Sequence, residues 1–160
     1  MISHLDIRLA TQSDAAEIAA MSRDYIEQGL PWTWTESRVK FSIASKETNV
    51  VVARDAGVIV GFGIMSYPRD DAHLLLFAVR PEYRRRGVGS AMLSLLESVG
   101  RELGMRRIRV ECRRDNDAAR NFYAEHGYHE LAIHQRMYRG LADGICLEKW
   151  LTNNSDRVDA

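Results

Sequence analysis

The chain carries no net charge: 22 lysines and arginines offset 22 aspartates and glutamates among its 160 residues. Without a basic excess there is no bulk pull toward nucleic acid, which is disfavoured as a partner, and any anion site has to be local. Cysteine is scarce. Cys112 and Cys146 stand in segments that read as strands, with no Cys-x-x-Cys or Cys/His cluster beside them, which speaks for buried reduced thiols and against a structural metal. No window approaches the roughly 20 apolar residues that a membrane span needs. The first six residues also lack the basic-then-apolar pattern of a secretory signal, so the expectation is a cytoplasmic protein with no membrane partner. Internal repeats and low-complexity tracts are absent as well. What is present is ordinary globular usage, 46% hydrophobic and 28% charged, at the length of one domain. A single domain is expected over residues 1–151, followed by a polar, frayed tail over 152–160.

Periodicity sets out the elements. Asp6–Ala10 alternates like a short strand, and Thr11-Gln12-Ser13-Asp14 resembles a capping box. Ala15, Ile18, Ala19, Ser22, Tyr25 and Ile26 then form a helical stripe that stops at Gly29-Leu30-Pro31. A shorter helix is expected from Thr35 to Ser45, with Val39 and Ile43 inward. Asn49–Asp55 and Val58–Tyr67 read as strands joined by a hairpin turn, and Ala72–Val79 as a third strand covered on both faces. From Ser90 to Gly104 the apolar positions Met92, Leu93, Leu96, Val99 and Leu103 follow helical period. Arg107–Cys112 returns as a strand, Asn116–Glu125 as a helix, and Tyr128–Ile133 and Ile145–Trp150 as two closing strands. The order β-α-α-β-β-β-α-β-α-β-β puts one strand-helix-strand crossover inside an otherwise antiparallel sheet, a mixed α/β or α+β class.

Between the third strand and its helix lies Arg80-Pro81-Glu82-Tyr83-Arg84-Arg85-Arg86-Gly87-Val88-Gly89-Ser90. Two glycines let the backbone approach a ligand and aim N–H groups at it, a helix N-terminus adds partial positive charge, and arginines supply charged donors. Such a loop suits a pyrophosphate. A Walker A string is missing, and Gly87-Val88-Gly89 is followed three positions on by Met92 and sits mid-chain, so neither a P-loop nor a dinucleotide turn fits. Gly61-Phe62-Gly63 falls inside a strand and reads as a bulge or a close strand contact.

Arg84-Arg85-Arg86-Gly87-Val88-Gly89 resembles the R/Q-x-x-G-x-G/A signature of the GNAT acetyltransferases. Downstream, Asn116-Asp117-Ala118-Ala119-Arg120-Asn121-Phe122-Tyr123-Ala124-Glu125-His126-Gly127-Tyr128 is similar to that family's N-x-x-A-x-x-x-Y-x-x-x-G-[FY] helix. The likeness runs from about residue 7 to 151. Val110-Glu111-Cys112-Arg113 and the Arg136-Met137-Tyr138 region resemble enzymes that acetylate the N-terminus of a ribosomal protein, with Cys112 a departure from the usual valine. The resemblance implies a GNAT fold: a mostly antiparallel six- to seven-stranded sheet, helices on both faces, and a central βαβ unit for acetyl-CoA. It implies transfer of acetyl from acetyl-CoA to a primary amine, which could be a peptide N-terminus, a lysine or a small molecule. No metal is implied, and a homodimer through the closing strands is compatible with the family.

Site residues follow from the same resemblance. The pyrophosphate would meet Arg84, Arg85, Arg86, Gly87, Val88, Gly89 and Ser90, and the pantetheine arm would pair with Phe77, Ala78 and Val79. Asn116, Ala119 and Tyr123 share a helix face at i, i+3, i+7 and would contact the cofactor, with Tyr123 protonating the departing thiolate. Glu111 is the candidate base. Bland alternatives stand beside each: the arginines as a solvated or RNA-binding turn, Asn116 as a helix cap, Tyr123 as a core aromatic, and Glu111 as a carboxylate balanced by Arg109 and Arg113. Tyr25, Pro31, Trp32 and Trp34 either line an amine channel or staple two helices to the sheet. Asp70 and Asp71 either attract a cation or form a solvated turn, and His73 reads as a packed or solvent-edge histidine. A catalytically silent acyl-CoA sensor on the same scaffold is the rival from another class.

Overall fold

The computed structural model describes residues 4–134 and 143–151. The Arg136-Met137-Tyr138 region and the expected tail over 152–160 lie outside the described residues. Among the described residues seven strands and four α-helices follow in the expected order: β1 (Leu5–Leu9), α1 (Ala15–Met21), α2 (Glu36–Ala44), β2 (Thr48–Asp55), β3 (Val58–Ser66), β4 (Asp71–Val79), α3 (Val88–Glu102), β5 (Arg107–Arg113), α4 (Asp117–Glu125), β6 (His129–His134) and β7 (Gly144–Trp150). The strand order is β1-β2-β3-β4-β5-β7-β6. Contacts gather the chain into two compact units, Met1–Ser66 with Leu75–Leu96 and Tyr67–Leu74 with Glu97–Ala160.

In the first unit β1, β2 and β3 form an antiparallel meander, and Ala56 and Gly57 make the β2–β3 turn at φ 50° and 86°. Both turn residues have positive φ, as a tight hairpin between right-twisted strands requires. Phe62 and Ile64 face a core built with Ile18, Ala19, Met21, Val39, Val50 and Val52, so α1 and α2 cover that side. Gly61 and Gly63 point the other way. A Cβ on Gly61 would stand 2.9 Å from Met92 Cε and 3.2 Å from the Ala78 carbonyl oxygen, and one on Gly63 would stand 3.2 Å from Leu96 Cδ1. The two strand glycines thus let α3 lie close on the second face, and the register slips beside Gly61, so both expected readings of that tripeptide hold.

The first helix departs from its simple reading. The Thr11 N–H donates to Asp14 Oδ2 at 2.8 Å, completing the capping box over a short 3-10 turn, and after α1 the chain widens into a π turn over Ser22–Ile26, closed by the Glu27 N–H to the Ser22 carbonyl at 2.8 Å. Glu27 explains the widening. Its buried carboxylate accepts from Ser22 Oγ at 3.2 Å, Thr33 N at 2.8 Å, Thr33 Oγ1 and Trp34 N at 3.2 Å, and so holds the link to α2. A buried donor left unsatisfied costs about 1–3 kcal/mol. Glu27→Ala strands two backbone N–H groups, so denaturant unfolding is expected to show about 3 kcal/mol lost; an unchanged midpoint would remove Glu27 as the loop's anchor.

In the second unit Asp71–Leu74 pairs parallel with Arg107–Val110, β5 pairs antiparallel with β7, and β7 with β6. Ile108, Val110, Ile145 and Leu147 are buried on one face. Two apolar expectations are corrected. Along β4 only Ala72, Leu74, Leu76, Ala78 and Val79 are buried, while His73, Leu75 and Phe77 are half-buried, so one face of this interior strand is not closed. Leu103 lies beyond the end of α3, 56% exposed in the turn before Gly104 (φ 77°); the stripe includes the buried Glu97 instead. The Glu97 carboxylate accepts from Tyr128 Oη at 3.1 Å and pairs with Lys149 Nζ at 2.9 Å. Burial first, then this carboxylate, pushes the Tyr128 hydroxyl far above the phenol range, keeping it a donor.

Candidate cofactor cradle and acid–base residues

The expected anion loop lies wholly in the first unit. Pro81–Tyr83 forms one 3-10 turn after Arg80, and α3 starts at Val88, two residues earlier than periodicity indicates. Arg85 (φ 60°) and Gly87 (φ 86°) are both left-handed, which turns the backbone at the head of a 15-residue helix, and a Cβ on Gly87 would meet nothing within 4 Å. An α-helix leaves its first N–H groups without intrahelical partners, and the macrodipole makes that end attractive to anions by about 0.3–1 kcal/mol. Space, positive φ and an uncovered helix head therefore fit a pyrophosphate.

The three arginines have different occupations. Arg84 Nε donates to the Val79 carbonyl at 3.2 Å, and the Arg86 guanidinium sits 5.0 Å from the Tyr83 ring centroid. Those two shape the loop while keeping charge beside it. Arg80, which sequence reading passed over, ties the end of β4 down: its N–H donates to the Val60 carbonyl at 2.8 Å, Nε to the Ile59 carbonyl at 2.8 Å, Nη1 to Tyr25 Oη at 3.3 Å and Nη2 to Glu17 Oε1 at 2.8 Å.

The aromatic group is divided. Trp34 is buried in the core under the Arg38 guanidinium at 3.8 Å and acts as the staple, whereas Trp32 stays 43% exposed with Arg23 over it at 5.4 Å.

The acid and base candidates lie in the second unit. The Asn116 side chain accepts the Ala119 N–H at 3.1 Å, so Asn116 does cap α4. Tyr123 is buried, its ring edge-on to Phe122 at 5.4 Å and tilted against Tyr128 at 5.5 Å. Glu111 is half-buried on the polar face of β5 predicted from alternation, and its Oε2 contacts His73 Nε2 on β4. Asp71 is engaged by arginine, with Arg107 Nε at 3.1 Å, and Arg107 Nη1 also reaches Glu148 Oε2 at 2.8 Å. Arg107 is thereby committed to two carboxylates, while Arg109 stays exposed.

Cys112 and Cys146 are free and buried, and burial pushes the Cys112 thiol up to about 11, which argues against a nucleophilic thiolate. Among the described residues no group of three or more His, Cys, Asp or Glu could hold a metal ion, and no helix is long and apolar enough to cross a membrane.

A strand, a left-handed glycine turn and a helix whose head fits a phosphate, with a capped tyrosine helix downstream, point to a class. Residues 17–128 match the acetyltransferase (GNAT) family, and the chain belongs to that family. It is an acetyl-CoA-dependent N-acetyltransferase. It is 29% identical over 133 residues to N-alpha-acetyltransferase RimI of Mycobacterium tuberculosis, covering 81% of each chain. To the [ribosomal protein bS18]-alanine N-acetyltransferase of Escherichia coli it is 29% identical over 105 residues, 66% of this chain and 70% of that one. The crystal structure of Ard1 from Thermoplasma volcanium superposes with a TM-score of 0.82 at 28% identity, covering 94% and 99% of the two chains.

Proposed function

We propose that the chain transfers the acetyl group of acetyl-CoA to the α-amino group of a peptide N-terminus in the cytoplasm, with residues 1–151 serving as one catalytic domain. The cradle at the head of α3 is the observation that carries the cofactor half of this reading. The names of two relatives, an N-alpha-acetyltransferase and a ribosomal-protein alanine N-acetyltransferase, support the acceptor half. What supports pairing of two copies is β6, last in the strand order, with exposed Leu131 and Ile133.

The amine must shed its proton before it can attack. An α-amino group does so near pH 7.7–8.0 and a lysine near 10.4, so a peptide terminus asks only moderate help from a base. Glu111 takes that proton. The neutral nitrogen then bonds to the thioester carbonyl carbon in a ternary complex, and a backbone N–H near Ala78 or Val79 steadies the oxyanion. As the C–S bond breaks, the Tyr123 hydroxyl gives its proton to the sulfur, and the excess proton on the new amide nitrogen leaves through water and restores the phenol; a phenol near 10 and a thiol near 8.5 make this feasible at neutral pH. The Arg84–Ser90 loop would hold the pyrophosphate, Phe77, Ala78 and Val79 would line the pantetheine, and Asn116 and Ala119 would contact the cofactor.

The test is a peptide panel with acetyl-CoA, read by mass spectrometry. Acetyl on free N-termini, in preference to lysines of Nα-blocked peptides, is the expected outcome. Modification confined to lysine or to small amines would overturn the acceptor assignment.

A further inference from the structure

His73 and Glu111 are 38 residues apart, yet the parallel register His73↔Arg109 on β4 and β5 sets both side chains on one sheet face, where Nε2 meets Oε2. We infer that His73 is a positioning residue for Glu111, which pins the carboxylate and, through its own protonation, sets how strong a base it is. The inference deepens the proposed reaction and rests on Glu111 being its base.

A carboxylate only accepts, so the contact requires the proton on Nε2, and Nε2–H donates to Oε2. That bond fixes the carboxylate plane and leaves Oε1 to accept from an amine. The neutral ring with its proton on Nε2 and the imidazolium both satisfy that contact, and the His73 side chain is 41% exposed against 26% for Glu111, so water can reach the ring. Histidine is the side chain that changes charge between about pH 5 and 8. When Nδ1 takes a second proton, the imidazolium stabilises the adjoining carboxylate anion and weakens it as a base. The proton that Glu111 takes from the amine leaves to solvent, and no electrons change hands.

The surrounding charges are named by the same register. Asp71 shares the face from β4, while Arg107, Arg109 and Arg113 do so from β5. From β7 Cys146 lies opposite Glu111 and Glu148 opposite Arg109. Arg107 takes Asp71 and Glu148, whereas Glu111 is given a histidine. The choice matters because an arginine stays charged at every working pH and would compensate the carboxylate permanently. Only the histidine makes the compensation reversible.

The test compares kcat from pH 5.5 to 8.5 at saturating acetyl-CoA and peptide in wild type, His73→Gln, His73→Ala and Glu111→Gln. The glutamine amide donates as Nε2–H does, at similar reach, but does not titrate in this range. At pH 8, His73→Gln is expected to keep turnover within about threefold of wild type and His73→Ala to lose about tenfold, with acetyl-CoA KM unchanged in both. The ratio of wild-type to His73→Gln kcat is expected to fall about threefold or more toward pH 5.5, because the amine's own titration is common to both enzymes and cancels. Parallel pH profiles, or full activity in His73→Ala while Glu111→Gln is impaired, would overturn the inference alone. Full activity in Glu111→Gln would instead overturn the base assignment, and the inference with it.

Discussion

Tyr123→Phe is expected to lower kcat by about 10²- to 10⁴-fold, the usual contribution of a positioned general acid. Calorimetry should find acetyl-CoA affinity within about twofold of wild type, since the lost hydroxyl acts mainly in the transition state. The substitution is well suited to the question. It keeps the ring that packs against Phe122 and Tyr128 in a buried position, so the fold and the neighbouring Tyr128–Glu97–Lys149 network should persist. Turnover at the wild-type rate would assign Tyr123 to the core and leave the thiolate to take its proton from water.

Gly89→Glu is expected to weaken acetyl-CoA, CoA and ADP together by about 100-fold or more, close to 2.7 kcal/mol. Gly89 is the second residue of α3, half-buried behind the exposed Gly87 turn. A carboxylate there competes with the pyrophosphate for the same N–H groups and repels it. An acidic residue in the first helical turn is favourable to the helix, so thermal unfolding should be nearly unchanged and the loss confined to binding. Calorimetric titration of all three ligands checks this, and retained affinity in the folded variant would move the nucleotide away from the head of α3.

The element order and the glycine turn at the head of α3 were legible because both rest on local pattern. Stripes at three- and four-residue spacing located the helices, Ala56-Gly57 the hairpin, and Gly87-Val88-Gly89 before an apolar stripe the turn into α3. The π turn was not legible: over five residues Ser22, Tyr25 and Ile26 satisfy an α pattern, and its cause is a carboxylate that finds its donors six and seven residues onward. Glu97 was hidden for a similar reason, since its partners Tyr128 and Lys149 are brought in by later elements. His73 read as a bland histidine because nothing local sets the β4–β5 register, and a shift of one residue would have sent its side chain to the opposite face. The separate contacts of Arg84 and Arg86 within the turn were not legible either, since they depend on how the loop folds back on Val79 and Tyr83.

The bare stretches of β3 have a bearing on nucleotide affinity. Gly61 and Gly63 set the spacing at which Met92 and Leu96 settle, and the same helix begins at Val88, four residues before Met92, with the backbone proposed to hold the pyrophosphate. A methyl at Gly63 would have to displace neighbours now 3.2 Å away by a few tenths of an ångström. Cradle geometry is therefore tunable from the interior, by side-chain volume at positions that never touch a ligand, and drift in cofactor affinity among variants of this chain is to be sought beneath α3 as well as at its tip.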